Sequence, residues 1–211
     1  MVKVKICGIT NLEDARQAIE SGATFLGFNF YKRSPRYVTP SAARRILQRL
    51  PKKTKSVGVF VNEPEEKMLA IARQTGLNYL QLHGEESPTT VARLKRTLPV
   101  IKAVRVRSSS SIAKLARYKH AAAFLLDGFD RRRHGGSGTS FDWEIVRRAK
   151  PAGHIFLAGG LTPGNVARAI RSARPYAVDV CSGVEAKPGK KDPALVKSFV
   201  RAVRAAQRTA R

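Results

Sequence analysis

The chain has 211 residues, 43% of them apolar, which suits one domain with a sizeable core and excludes a disordered polypeptide. No apolar run reaches the ~18 residues of a membrane span, the N-terminus does not read as a signal peptide, and two cysteines cannot build a disulfide framework, so a cytoplasmic protein is expected. Forty Lys and Arg against fifteen Asp and Glu give a formal charge of +25; the cations are scattered from Lys3 to Arg211, which reads as a solvated basic surface that steers anionic substrates.

The first segment, MVKVKICGIT, alternates Val2, Val4 and Ile6 with Lys3 and Lys5, a strand pattern that ends in Cys7-Gly8. Thr10 and Glu13 then stand at capping-box spacing before a helical run. Further strands are predicted at 25–29, 56–61, 79–82, 100–104, 123–127, 155–158 and 177–180, after a first at 2–7. Several are continuous apolar runs, as strands covered on both faces should be. Between them, Thr39-Pro40, Ser87-Pro88, Thr162-Pro163 and Asp192-Pro193 each place a capping residue before proline at a helix start. Eight β-α units in residues 1–211, with no linker between them, predict one domain folded as a closed (β/α)8 barrel of the TIM type. An open doubly wound sheet is the lesser alternative, because no glycine fingerprint follows the first strand.

In such barrels chemistry sits at the C-terminal strand ends. That rule gathers Cys7, the loop cation Arg36, His83, Asp127, Gly159-Gly160, and Asp179 with Cys181-Ser182-Gly183 into one constellation. Gly159 and Gly160, a helix beginning at Pro163, and Ser182-Gly183 opposite them predict a phosphate cradle. No His, Asp and Glu set with metal-ligand placement is visible. Lys102 lies inside the fifth predicted strand, not at its end, which disfavours a lysine-dependent synthase or decarboxylase. A glycine-rich stretch, Gly135-Gly136-Ser137-Gly138, lies in the long loop after the sixth strand, where a plain flexible loop is one reading.

Lys5-Ile6-Cys7-Gly8-Ile9-Thr10, Gly58-Val59-Phe60-Val61-Asn62, Gln81-Leu82-His83-Gly84, Leu126-Asp127-Gly128 and Phe141-Asp142-Trp143 together resemble the phosphoribosylanthranilate isomerase family. Ala158-Gly159-Gly160-Leu161 and Asp179-Val180-Cys181-Ser182-Gly183-Val184-Glu185 continue the resemblance in order and spacing. It implies a barrel of the ribulose-phosphate-binding type and an Amadori rearrangement of an aminoaldose to an aminoketose in tryptophan biosynthesis. It also implies no cofactor, no metal, and a small phosphorylated substrate. On that resemblance Asp127 is the general acid, Cys7 the general base and Arg36 the partner of the anthranilate carboxylate. Gly159, Gly160, Ser182 and Gly183 then bind phosphate, with His83 and Asp179 in supporting places.

Two alternatives stand beside this: a basic barrel that binds nucleic acid without catalysis, and a related phosphosugar synthase, decarboxylase or epimerase. With 7% aromatic residues there are few platforms for base stacking, so no specific nucleic acid is expected as a partner, and no membrane. The assembly is expected to be a monomer or homodimer. Because first and last strands are neighbours in a closed barrel, Cys7 and Cys181 should share one rim, where mild oxidant could join them reversibly.

Overall fold

The computed structural model describes residues 1–106, 108–128, 143–149 and 153–208; the glycine-rich loop at 135–138 and the Phe141-Asp142 pair lie outside them. In chain order the elements are β1 (Lys3–Cys7), α1 (Leu12–Ser21), β2 (Phe25–Asn29), α2 (Pro40–Leu47), β3 (Lys55–Phe60) and α3 (Glu65–Thr75). Then follow β4 (Tyr79–Leu82), α4 (Pro88–Leu94), β5 (Val100–Val106), α5 (Ser109–Ala113), β6 (Ala123–Gly128) and α6 (Glu144–Ala149). The chain ends with β7 (His154–Ala158), α7 (Val166–Ala173), β8 (Ala177–Val180), a hairpin of β9 (Glu185–Lys187) and β10 (Lys190–Lys191), and α8 (Pro193–Arg208). β1 to β8 form one closed barrel in sequence order. All eight neighbouring pairs are parallel, and Lys5 lies opposite Asp179 where β8 meets β1.

Strand alternation sends each side chain either into the barrel or out against the helices. Phe25, Val57, Ile101, Ala123, Leu125, Phe156 and Ala177 pack together inside, with Phe25 edge-on to both Phe156 and Tyr79. The larger apolar cluster joins the outward set, such as Val4, Ile6, Leu26 and Leu80, to helix residues such as Ala15, Val91, Ile170 and Phe199. The alternation in β1 therefore runs opposite to a surface strand. Val4 and Ile6 pack outward under helices, while Lys5 is fully buried on the face it shares with Cys7.

Helix starts follow the predicted caps at Thr39 and Ser87, whose side chains accept from Ala42 N and Thr90 N, and at Asp192, which accepts from Ala194 N and Leu195 N. Two differ. Asn11, not Thr10, caps α1 through Asp14 N, because the Thr10 hydroxyl donates instead to Gly189 O in the β9–β10 turn. α7 begins at Val166 rather than Pro163; Asn165 accepts from Thr162 N and donates to Gly160 O, holding 162–165 as a separate turn. Lys102 points outward from β5, and its ammonium meets Glu86 at 2.8 Å while donating to Gly84 O. Among the described residues no helix is long and apolar enough to cross a membrane.

Candidate active site

A cavity of about 300 Å³ opens at the C-terminal ends of the strands, and all nine sequence-predicted site residues line it: Cys7, Arg36, His83, Asp127, Gly159, Gly160, Asp179, Ser182 and Gly183. All but Arg36, which comes from a longer loop, are polar or glycine residues at or just past the end of an apolar strand. Among the described residues no group of three or more His, Cys, Asp and Glu side chains comes together as a metal-binding set.

On one side stands Asp127, at the end of β6. Its Oδ2 lies 3.3 Å from His83 Nε2, and Gln81 Nε2 donates to His83 Nδ1 at 3.1 Å. With Nδ1 accepting, the ring hydrogen belongs on Nε2, aimed at Asp127. Gln81 itself is buried, and its Oε1 has no hydrogen-bond partner among the described residues.

On the other side Cys7 ends β1 among charged groups. Hydrogen bonding from Cys181 outweighs burial and, with the ammonium groups of Lys5 and Lys191, holds the Cys7 thiol well below its ordinary range. Cys181 moves the opposite way, pushed up by its hydrogen bond to Cys7 and by burial. Both cysteines are free thiols. Below them Lys5 Nζ donates to Asp179 Oδ1 at 2.9 Å. Burial disfavours the Lys5 charge, yet Asp179 and Cys7 outweigh it and raise its pKa. Burial pushes the Asp179 carboxyl up to about 7 against the pull of Lys5.

Arg36 comes from the loop between β2 and α2. Its Nε and Nη2 grip the Glu185 carboxylate at 2.7–3.1 Å, leaving Nη1 unused by that pair. Lys191 on β10 donates to the same carboxylate at 2.9 Å and to Cys181 O at 3.2 Å. Burial works against the Glu185 charge, but these two cations hold its carboxyl below the usual range.

The loops after β7 and β8 meet closely. Gly159 and Gly160 both have positive φ, +84° and +65°, and a Cβ on Gly183 would lie 1.9 Å from Leu161 O. Among the described residues the N–H groups of Gly160, Ser182 and Gly183 have no acceptor. Converging amides of this kind suit an anion. Since α7 starts at Val166, these loop amides, and not a helix beginning at Pro163, form the concave wall.

A family model described as N-(5'phosphoribosyl)anthranilate (PRA) isomerase matches residues 4–202. The chain belongs to that family. A relative named N-(5'-phosphoribosyl)anthranilate isomerase from Citrifermentans bemidjiense is 51% identical over 200 residues, 95% of this chain and 96% of the relative. A crystal structure of phosphoribosyl anthranilate isomerase from Thermotoga maritima is 46% identical with a TM-score of 0.92, covering 97% of this chain and all of that one. Another structure of this isomerase, in complex with reduced 1-(o-carboxyphenylamino)-1-deoxyribulose 5-phosphate, is 44% identical with a TM-score of 0.88 over 97% of this chain and 100% of that one. The protein is thus an isomerase of tryptophan biosynthesis with the (β/α)8 fold, and the readings as a nucleic-acid-binding barrel or a synthase, decarboxylase or epimerase give way.

Three participants escaped the sequence reading. Lys5 stands in the sequence only as one of the lysines alternating with apolar neighbours, with no role attached; its spacing of two from Cys7 is the available signal. Glu185 closes a motif of the resemblance but has no role attached to it there, and Lys191 is one of many lysines until the β9–β10 hairpin brings it back to the mouth.

Proposed function

We propose that Asp127 and Cys7 carry the proton transfers of the Amadori rearrangement of N-(5'-phosphoribosyl)anthranilate, as general acid and general base. Asp127 protonates the ring oxygen as the furanose opens to a Schiff base. The Cys7 thiolate then removes the C2 proton, giving an enolamine that tautomerises to the aminoketose. A thiolate serves as base where cations surround it, and Cys7 has Lys5 and Lys191 about it. His83 and Asp179 support these groups, His83 by orienting the Asp127 carboxyl group.

The observation that carries the assignment is the polarity of the cavity. The substrate has a carboxylate at one end and a phosphate at the other. Arg36, with Nη1 left over from Glu185, receives the carboxylate, a match of planar charge to planar charge. The Gly159, Gly160, Ser182 and Gly183 backbone receives the phosphate. The sugar between them comes to rest at Cys7 and Asp127, which line the same cavity. Hydrogens only move within one molecule, so these roles consume no cofactor.

The whole chain serves as one catalytic domain in the cytoplasm, as a monomer or a homodimer. Light scattering at working concentration distinguishes the two. The catalytic assignment is tested by following loss of substrate fluorescence. Cys7→Ala and Asp127→Asn should each lower kcat by about 10²–10⁴-fold, the usual contribution of a general acid or base, with KM little changed. Near-native kcat in either variant removes that residue from the mechanism.

A further inference from the structure

The charged groups around Cys7 do not balance. From its own strand it is faced by Lys5; from β8 and the turn after it by Asp179, Cys181 and Glu185; from β10 by Lys191; and from the β2–α2 loop by Arg36. Asp127 adds its charge to Asp179 from across the mouth. Glu185 answers both Arg36 and Lys191 with one carboxylate. Asp179 answers Lys5 with another. In direct contact, three cations thus meet two carboxylates, with the cysteine among them.

Lys5 is the cation built closest to it. Both side chains project from β1 into the barrel two residues apart, and the absence of a side chain on Gly27 makes the room they share. A Cβ there would stand 2.7 Å from Cys7 Sγ and 3.0 Å from Lys5 Nζ. Lys5 is completely buried, so its charge cannot be screened by solvent, and Asp179 is its one carboxylate partner among the described residues. A buried ammonium with so few partners is costly unless further negative charge meets it.

We propose that Lys5 is a positioning residue of the isomerisation: its buried ammonium, shared between Asp179 and the sulfur, fixes Cys7 as a thiolate at the barrel mouth. Lys5 touches no substrate atom; it acts through Cys7. The inference rests on Cys7 being the base for its catalytic meaning, but the ionisation itself can be measured without substrate.

The experiment follows the pH dependence of iodoacetamide alkylation at Cys7, read by mass on the Cys7 peptide in the substrate-free protein, for wild type, Lys5→Met and Asp179→Asn. An opposite charge at this range moves a pKa by about 1–3 units. Lys5→Met should therefore raise the half-point of alkylation by at least about one pH unit, a tenfold loss of thiolate below it. Asp179→Asn should lower or hold that half-point, because it removes the competing anion. Opposite signs separate an electrostatic role from general loosening of the barrel, which would move both variants the same way. Should Lys5→Met not fold with Asp179 left unpaired, the double variant Lys5→Met/Asp179→Asn removes both charges, and its half-point should lie above that of Asp179→Asn alone; no difference between those two overturns the proposal. An unchanged half-point in a folded Lys5→Met protein overturns it equally. The acid limb of kcat/KM should move with the alkylation half-point; if alkylation shifts and the limb does not, Lys5 sets the thiolate and Cys7 is not the base.

Discussion

Gly183→Ala separates the loop wall from everything else in the site. The added methyl would stand 1.9 Å from Leu161 O and 3.0 Å from Leu161 C, all backbone, with no flexible side chain to give way. A comfortable C···O approach is about 3.3 Å, so the loops after β7 and β8 must part by about 1.4 Å. Gly183 does not have a positive φ, so the substitution adds a clash without backbone strain. A shift of this size takes the Gly160 and Gly183 amides out of hydrogen-bonding range of one anion. Each charge-assisted bond contributes about 1.5–3 kcal/mol, and displacement of about 1 Å near a reacting group costs about 10²-fold. The expected result is a fall in kcat/KM of about 100-fold, mostly in KM, and a rise of at least tenfold in the inhibition constant of inorganic phosphate. Gly76→Ala is the control: φ is +76° with nothing within 4 Å of its new methyl. It should cost about 1–2 kcal/mol of stability for the left-handed backbone and leave both constants alone. A Gly183→Ala protein that is folded and binds phosphate like wild type would refute the assignment of these loops.

Arg36→Ala should raise KM by about tenfold or more with a smaller change in kcat, because the carboxylate loses its partner before the chemistry begins; steady-state kinetics show it, and unchanged kcat/KM leaves Arg36 as a partner of Glu185 alone. Binding to duplex DNA, measured by fluorescence anisotropy, should be weak, indifferent to sequence and lost between about 50 and 200 mM salt, as expected of scattered cations releasing counterions; sequence preference at high salt contradicts this. Dilute hydrogen peroxide should inactivate the protein reversibly. The Cys7 thiolate takes one oxygen to become a sulfenic acid with release of hydroxide, and the Cys181 thiol then displaces water to close a disulfide. Lys5 and Asp179 are directly paired in the β1–β8 register, so the cysteines two residues further on lie side by side. Cys181→Ser should lose the internal bridge, and equal loss and recovery in both proteins with no bridge mass refutes it.

The eight strands were legible because each is a short β-rich run bounded by turn residues, and barrel geometry then turned scattered strand ends into a site. Cys7, His83, Asp127 and Asp179 were visible for the same reason: a polar residue closing an apolar strand is costly unless used. Lys5 was not, because an alternating strand does not say which face is wet. In a barrel clothed by helices, the apolar set of β1 faces outward and the charged set goes in. The brace of Glu185 and Lys191 was invisible because it depends on a two-stranded hairpin with only five strand residues, too short for a periodic signal. The later start of α7 came from Asn165, whose side chain satisfies the turn that a capping threonine would otherwise have opened.

The ion pair between Lys5 and Asp179 joins residues 174 positions apart, and the hairpin carrying Lys191 comes later still. During synthesis β1 leaves the ribosome before the other seven barrel strands, yet one of its edges and its lysine wait for β8 before they find partners. Contacts of such long range form slowly, and an unpaired strand edge invites association with other chains in the meantime. Barrel closure and assembly of the charged cluster at Cys7 are consequently one event, so a nascent chain cannot acquire the reactive thiolate ahead of the fold that shelters it.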